Sequence, residues 1–193
     1  MLNRLFMVLI LMLVSSSSAF AQWELVNDVS SIHYVSVKKS SVGEVNSFEK
    51  LTGSVDEAGK VALAIDLSSV ETNVGIRNER IKKLFFETSK FAQAHLTGAV
   101  DVKRVAGLKG GDTYTETIQL KLSLHGMSQD IKSDVQVTKL SHERLLVSSV
   151  KPVIINAKDY DLVKGVEKLR SAANLPSISM TVPVTYSLVF KKQ

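Results

Sequence analysis

Ile178-Ser179-Met180-Thr181-Val182-Pro183-Val184-Thr185-Tyr186-Ser187-Leu188-Val189-Phe190, close to the C-terminus, alternates apolar and polar residues almost without a break. Ile178, Met180, Val182, Val184, Tyr186, Leu188 and Phe190 fall on one side, and Ser179, Thr181, Thr185 and Ser187 on the other. A period of two sends successive side chains to opposite faces, so this stretch predicts a β-strand with one buried face. Pro183 has no N–H to donate, which predicts that it lies at an edge or a bulge.

The same pattern recurs upstream. Ile118, Leu120, Leu122 and Leu124 stand opposite Gln119, Lys121 and Ser123. Val61, Leu63, Ile65 and Leu67 stand opposite Ala62, Ala64, Asp66 and Ser68. Leu96, Gly98, Val100 and Val102 alternate more weakly, as do Ile131, Ser133, Val135 and Val137. Residues 32–39, 44–55 and 144–150 complete a set of about eight strands. Turn signals separate them: Asp56-Glu57-Ala58-Gly59, the run 107–112 (GLKGGD), and Ser141-His142-Glu143. Short links favour antiparallel neighbours. Two segments break the alternation. Residues 75–86 (GIRNERIKKLFF) place Ile76, Arg80 and Leu84 at helical spacing, and residues 159–175 place Leu162, Val166, Leu169 and Ala173 on one helical face.

Composition narrows the class. The 193 residues are 45% hydrophobic and 22% charged, which excludes a disordered polyelectrolyte. The absence of cysteine excludes disulfides, thiolate metal sites and thiol catalysis. The net charge of +5 is too small and too scattered to argue for nucleic acid. No internal repeat or composition break divides residues 22–193, which read as one domain.

Residues 1–21 read as a cleaved signal peptide. Arg4 supplies the positive start, Leu5 to Val14 the apolar run, and Ala19-Phe20-Ala21 an A-x-A site with cleavage after Ala21. Ten apolar residues make roughly 15 Å of helix, about half a hydrocarbon core, so a cleaved signal is expected rather than a membrane span. No cysteine follows the site to carry a lipid anchor. The expected location is the periplasm.

Eight strands behind an export signal also raise an outer-membrane barrel. That reading needs aromatic girdles and an apolar exterior. The aromatics here form no paired belts, and Glu116, Lys121 and Lys132 sit on the polar faces. A barrel with its apolar face inward fits better, and closure removes exposed strand edges.

Several stretches resemble the YceI family. Trp23-Glu24-Leu25 with Ser30-Ser31-Ile32-His33-Tyr34 is similar to its opening strands. Residues 45–53 (VNSFEKLTG) are similar to its "F…L.G" strand. The most specific resemblance is Ser69-Val70-Glu71-Thr72, then Arg77-Asn78-Glu79-Arg80-Ile81, then Leu84-Phe85-Phe86. Residues 120–126 (LKLSLHG) resemble a later family strand. Two junctions depart from the pattern: 91–95 (FAQAH) lacks a Tyr-Pro, and Ser128-Gln129-Asp130 replaces a Thr-Lys-Pro.

The resemblance implies an all-β fold, an eight-stranded antiparallel lipocalin-like barrel with one or two short helices. It also implies an apolar tunnel for a polyisoprenoid, either a polyprenyl phosphate or the tail of an isoprenoid quinone. Carriage, storage and stress response are the roles it suggests. Alternation alone leaves open whether Leu63, Ile65, Leu120, Leu122, Leu124, Met180, Val182, Val184 and Tyr186 fill a closed core or line a tunnel. With the resemblance they become the expected lining. Phe85 and Phe86 are expected to plug or gate one end. Arg77 and Arg80, three apart on a helix, could fork onto a phosphate; an ion pair with Glu79, Glu71 or Asp66, or plain solvation, is the favoured role. Thr72 and Asn73 are expected to cap that helix or the turn before it.

Catalysis has little support. There is no G-x-S-x-G, H-E-x-x-H, Walker or G-x-G-x-x-G motif. The four histidines, His33, His95, His125 and His142, share no local ligand spacing, so no metal and no cofactor are expected. His125 is expected at a turn or rim. The reading is a binding protein and not an enzyme. A module for a protein or another amphiphile, and an enzyme acting on an isoprenoid quinone, are the alternatives. A homodimer is left open.

Overall fold

A computed structural model describes residues 21–193. The signal peptide inferred for residues 1–21 falls almost entirely outside them. The chain runs β1 (Ala21–Leu25), β2 (Ser31–Lys38), β3 (Val42–Phe48), β4 (Leu51–Asp56), β5 (Lys60–Asp66), β6 (Val70–Glu71), α1 (Gly75–Arg80), β7 (Gln93–Ala99), α2 (Val102–Ala106), β8 (Thr113–Leu124), β9 (Met127–Ser141), β10 (Arg144–Ser149), β11 (Val153–Asn156), α3 (Val163–Ala172) and β12 (Thr181–Lys192). A single π-helical segment, Ile81–Phe86, extends α1.

Every pairing is antiparallel, and β1-β4-β5-β7-β8-β9-β10-β12 close on themselves through β12–β1. The remaining short strands prolong these staves. β2 continues β1 and pairs with β3 and β12; β3 leads into β4; β6 follows β5 and pairs with β3; β11 follows β10 and pairs with β12. The result is an eight-staved up-and-down barrel, and its staves are the eight strands that alternation predicts.

Three staves break side by side, and short polar side chains replace the lost ladder bonds. Asn27 takes the Leu51 N–H at 2.7 Å and donates to Glu49 O at 3.1 Å. The Ser30 hydroxyl accepts the Val189 N–H at 2.9 Å. The Ser69 hydroxyl accepts the Lys50 N–H at 3.0 Å. Buried or half-buried backbone donors need such partners, which is why the breaks fall where Asn and Ser are available. The strand expected over 44–55 is therefore two strands.

Pro183 lies in a bulge. The β12–β2 ladder runs from Ser187–Ser31 to Val184–Tyr34 and resumes at Ile178–Lys38, so residues 179–183 oppose only residues 35–37. β12 is not an edge strand. The β8–β9 hairpin turns on His125 and Gly126, at φ 52° and 81°, the two left-handed residues of a type I′ turn.

Two expectations need correction. Val102 does not continue a strand: β7 ends at Ala99, and the Asp101 carboxylate caps α2 by accepting the Lys103 N–H at 2.9 Å. Ala173 is exposed, so the buried face of the last helix is carried by Leu162, Val166 and, half-buried, Leu169. α3 approaches the π segment because Gly165 has no side chain. A Cβ there would lie 3.0 Å from Phe85 Cα and 3.2 Å from Leu84 O. Gly165→Leu is expected to push α3 away and destabilise the protein by about 1–3 kcal/mol, read as a lower urea midpoint at unchanged slope. An unchanged midpoint would remove that contact as a constraint.

Candidate functional site

The inward faces of the staves do not meet. They enclose a cavity of about 270 Å³ whose lining is almost wholly apolar. For scale, an engineered apolar cavity of about 150 Å³ holds a benzene. The barrel is therefore hollow along its axis, which alternation by itself left undecided. An eight-stranded closed barrel can be filled or can hold a ligand, and here Ala94 contributes an inward position with little side chain, while Leu120 packs over Gly98.

Leu63 and Ile65 of β5, Leu120, Leu122 and Leu124 of β8, and Val182, Val184 and Tyr186 of β12 all face the cavity. Met180, just before β12, faces it too. Phe85 and Phe86 line it from the π segment. They extend a row of rings in which centroids are 4.6 Å apart for Phe85–Phe86, 5.9 Å for Phe86–Phe48 and 5.6 Å for Phe48–Tyr34. With Leu162 and Val166 from the α3 segment, this row closes one end. Trp23 with Val102 and Val105 of α2 closes the other.

Few polar groups reach this interior. The hydroxyls of Ser133 and Tyr186 bond each other at 2.6 Å, which satisfies both in an apolar surround. Burial raises the Tyr186 phenol, and Ser133 partly offsets that. Burial pushes the Tyr34 phenol well above its ordinary value, and the nearby Arg77 charge opposes it. Tyr114, at the α2 end, is pushed up to about 12, first by burial and then by Glu116. Burial thus favours the neutral phenol in each.

Arg77 and Arg80 do not line the cavity. Arg77 is committed to the wall. Its Nε donates to Thr72 Oγ1 at 2.8 Å, its Nη2 to Thr72 O at 2.6 Å, and its Nη1 to Glu44 at 2.7 Å. Its ion partner is thus Glu44 on β3, and not Glu79, Glu71 or Asp66. Thr72 ties the helix down in a way different from a cap: its N–H and hydroxyl both donate to Asn78 Oδ1, at 3.0 and 2.6 Å. Val74 is the N-cap residue of α1, and it makes no side-chain cap bond. His125 sits in the β8–β9 turn with its ring 4.3 Å from that of Phe91.

The same network sets an acid limit. Hydrogen bonds from Lys38 and then Arg77 hold the Glu44 carboxyl below its ordinary 4.5. Asn78 and the Asn73 backbone do so for Glu71. A depressed folded-state value stabilises the protein fully above about pH 4.5, and that contribution is lost as pH falls through the lowered values. The melting temperature is expected to hold above pH 5 and to drop below 4.5, with a shallower drop in Glu44→Gln. A Glu44→Gln curve parallel to that of the parent would remove Glu44 from the effect.

Along β8 and β9 the exterior is polar. Thr117, Gln119, Lys121 and Ser123 of β8 face outward beside Ser128, Asp130, Lys132 and Asp134 of β9, with Lys121 3.4 Å from Asp130. Apolar inside and charged outside is the inverse of an outer-membrane barrel. Among the described residues no helix is long and apolar enough to cross a membrane.

A YceI-like domain model matches residues 23–190. Among solved structures, a polyisoprenoid binding domain from Saccharophagus degradans, implicated in plant cell wall breakdown, is 37% identical. It superposes with a TM-score of 0.88 over 90% of this chain and 100% of its own. BcnA of Burkholderia cenocepacia is 19% identical, with a TM-score of 0.64 over 86% of this chain and 98% of its own. The YceI protein of Campylobacter jejuni is 16% identical, with a TM-score of 0.55 over 77% and 84%. The last two likenesses speak to the fold alone. No curated protein matches this chain.

Proposed function

The chain belongs to the YceI family, and from that premise we propose that it is an exported protein that holds a polyisoprenoid tail inside its barrel. The observation that supports this reading is the hollow apolar interior of about 270 Å³. Its relative from Saccharophagus degradans carries the description of a polyisoprenoid binding domain. Binding needs no specific polar contact. Each buried CH₂ contributes about 0.8 kcal/mol, so a tail segment on the order of ten carbons contributes about 8 kcal/mol before association costs. A neutral branched chain of prenyl type suits walls made of Leu, Ile, Val and Phe. The role is sequestration or carriage through an aqueous compartment, with no bond made or broken. The leader read in residues 1–21 makes that compartment the periplasm.

The test is native mass spectrometry of the protein isolated from the periplasm, with the bound lipid then extracted and identified. A stoichiometric prenyl lipid is expected. A protein that is empty and also refuses added prenyl alcohols, phosphates and quinones would overturn the reading. Recovery of the protein only in the cytoplasm, with residues 1–21 intact, would overturn the export step.

A further inference from the structure

A lipid tail can reach the apolar cavity only if one of its two ends yields, and the ends are built differently. At the α3 end the closing segment is fastened. The Ala157 N–H donates to Met180 O at 2.7 Å, and the Leu162 N–H to Ala157 O at 2.9 Å. Tyr160, Leu162 and Val166 are buried, and Gly165 seats α3 against Phe85. At the α2 end the segment 101–110 is held at its margins. Before it, the Val100 N–H donates to Gly59 O at 2.9 Å; after it, the Gly111 N–H donates to Lys139 O at 2.7 Å. Among the described residues, no backbone hydrogen bond joins 101–110 itself to a strand.

Val105 is the one buried residue of this segment. Val102 and Val105 line the apolar cavity on one side and a second space of about 380 Å³ on the other, so the plug has room to withdraw into. One latch crosses from the segment to the wall. The Arg104 guanidinium sits 3.8 Å from the centre of the Tyr114 ring, with Nη1 3.6 Å from Glu116 Oε2. Arg104 is exposed, and exposed pairs of this kind hold weakly. Gly111 supplies a pivot: its φ is 91°, and a Cβ there would meet nothing within 4 Å. Few buried side chains and few hydrogen bonds to the rest of a domain are what let a segment open locally.

We propose that residues 101–110 are a lid, that it swings about Val100 and Gly111, and that a lipid tail enters and leaves at the α2 end while the α3 end stays shut. The proposal rests on the lipid-binding reading above and adds the route by which the cavity is filled. Withdrawal of Val102 and Val105 joins the two spaces and uncovers Trp23, which lines both. Opening gives up one buried valine and the Arg104 contacts, whereas opening the other end would expose Tyr160, Leu162 and Val166 together. Lid motions of this kind gate access to an interior without any change in the walls.

The chain has no cysteine, so a pair can be placed where Arg104 meets Glu116. The experiment joins Arg104→Cys and Glu116→Cys with a short bifunctional methanethiosulfonate in the delipidated protein lacking residues 1–21. Uptake of geranylgeraniol is followed by the fluorescence of Trp23, the chain's single tryptophan. Linking is expected to slow uptake roughly tenfold or more, and a reductant that frees the link is expected to restore it. The same link between Glu87→Cys and Lys168→Cys, whose parent side chains meet at 3.4 Å, ties down α3 and is expected to leave uptake unchanged. Arg104→Ala is expected to speed uptake and release by a common factor, so that affinity stays as it is. Acrylamide quenching of Trp23 reads the same motion without any lipid. It is expected to fall when the lid is linked and to rise in Arg104→Ala. Equal uptake with the lid linked and free would overturn the lid, as would a block by the α3 link alone. Quenching that neither the link nor Arg104→Ala changes would overturn it as well. Free protein that binds no geranylgeraniol, with quenching that still follows the lid, would overturn the lipid reading and the entry route with it, but not the motion.

Discussion

Leu122→Trp is expected to block uptake of a prenyl chain while the barrel still folds. Leu122 lies on β8, paired with Leu96 of β7 and Gln129 of β9, and points into the cavity. An indole placed there occupies the space a tail would need. The cost to the protein is that of overpacking, about 1–3 kcal/mol, and the existing void of about 270 Å³ absorbs part of it. The measurement is lipid occupancy by native mass spectrometry beside a circular dichroism melt. Occupancy is expected to fall about tenfold or more, corresponding to at least 1.4 kcal/mol of lost binding. Lys121→Trp, one residue away on the outer face, is expected to leave occupancy unchanged. Equal uptake by Leu122→Trp and the parent would take Leu122 out of the lining. The outward control separates a filled cavity from a generally damaged barrel.

Arg77→Ala is expected to lower stability without altering headgroup preference. The guanidinium donates three hydrogen bonds within the wall, two to Thr72 and one to Glu44. Removing it leaves the Thr72 carbonyl and the Glu44 carboxylate short of a donor beside buried Asn78. Bonds to charged groups are worth about 1.5–3 kcal/mol each before solvent compensates. Half-exposed Glu44 recovers water, so a net loss of about 2–4 kcal/mol is expected. At this chain length that is a fall of roughly 5–15 °C in melting temperature. The double variant Arg77→Ala, Arg80→Ala is expected to bind geranylgeranyl diphosphate and geranylgeraniol in the parent's ratio. A selective loss of the diphosphate would return the headgroup to α1.

The long strands and their inward faces were legible in the sequence because one face of each turns apolar residues to the cavity. That burial writes a period of two, as in Leu120, Leu122 and Leu124 or Val184, Tyr186 and Leu188. The helical segment at 75–86 was legible as an interruption of the alternation, but not its buried face: Ile76 of the Ile76, Arg80, Leu84 spacing is exposed, and Asn78, Ile81 and Phe86 are the buried residues. Less legible were the breaks in the staves. They depend on single residues such as Asn27, Ser30 and Ser69, whose side chains bond to backbone far along the chain. Nothing local marks Asn27 as a partner of Leu51. The α2 turn was misread because Val102 extends a weak alternation, and its capping Asp101 reads equally well as a loop residue.

The site divides along the same line. The apolar lining follows from alternation, so Leu63, Ile65, Leu120, Leu122, Leu124 and Val182 were legible as inward residues. The partner of Arg77 was not, because Glu44 reaches it from another stave. Nor was the lid. Arg104 meets Tyr114 and Glu116 only once β8 is in place, and the sequence signal was only the turn run 107–112.

The sequence by itself determined the number of staves, the inward face of the strongly alternating ones, and the family, because these are local patterns and motifs that burial imprints on neighbouring residues. Only the tertiary structure decided that the barrel is hollow, that Arg77 belongs to the wall, and that α2 plugs one end. Those facts depend on closure and on register between distant staves. A sum of local periods does not contain the diameter at which eight staves meet, nor which side chains then share an end.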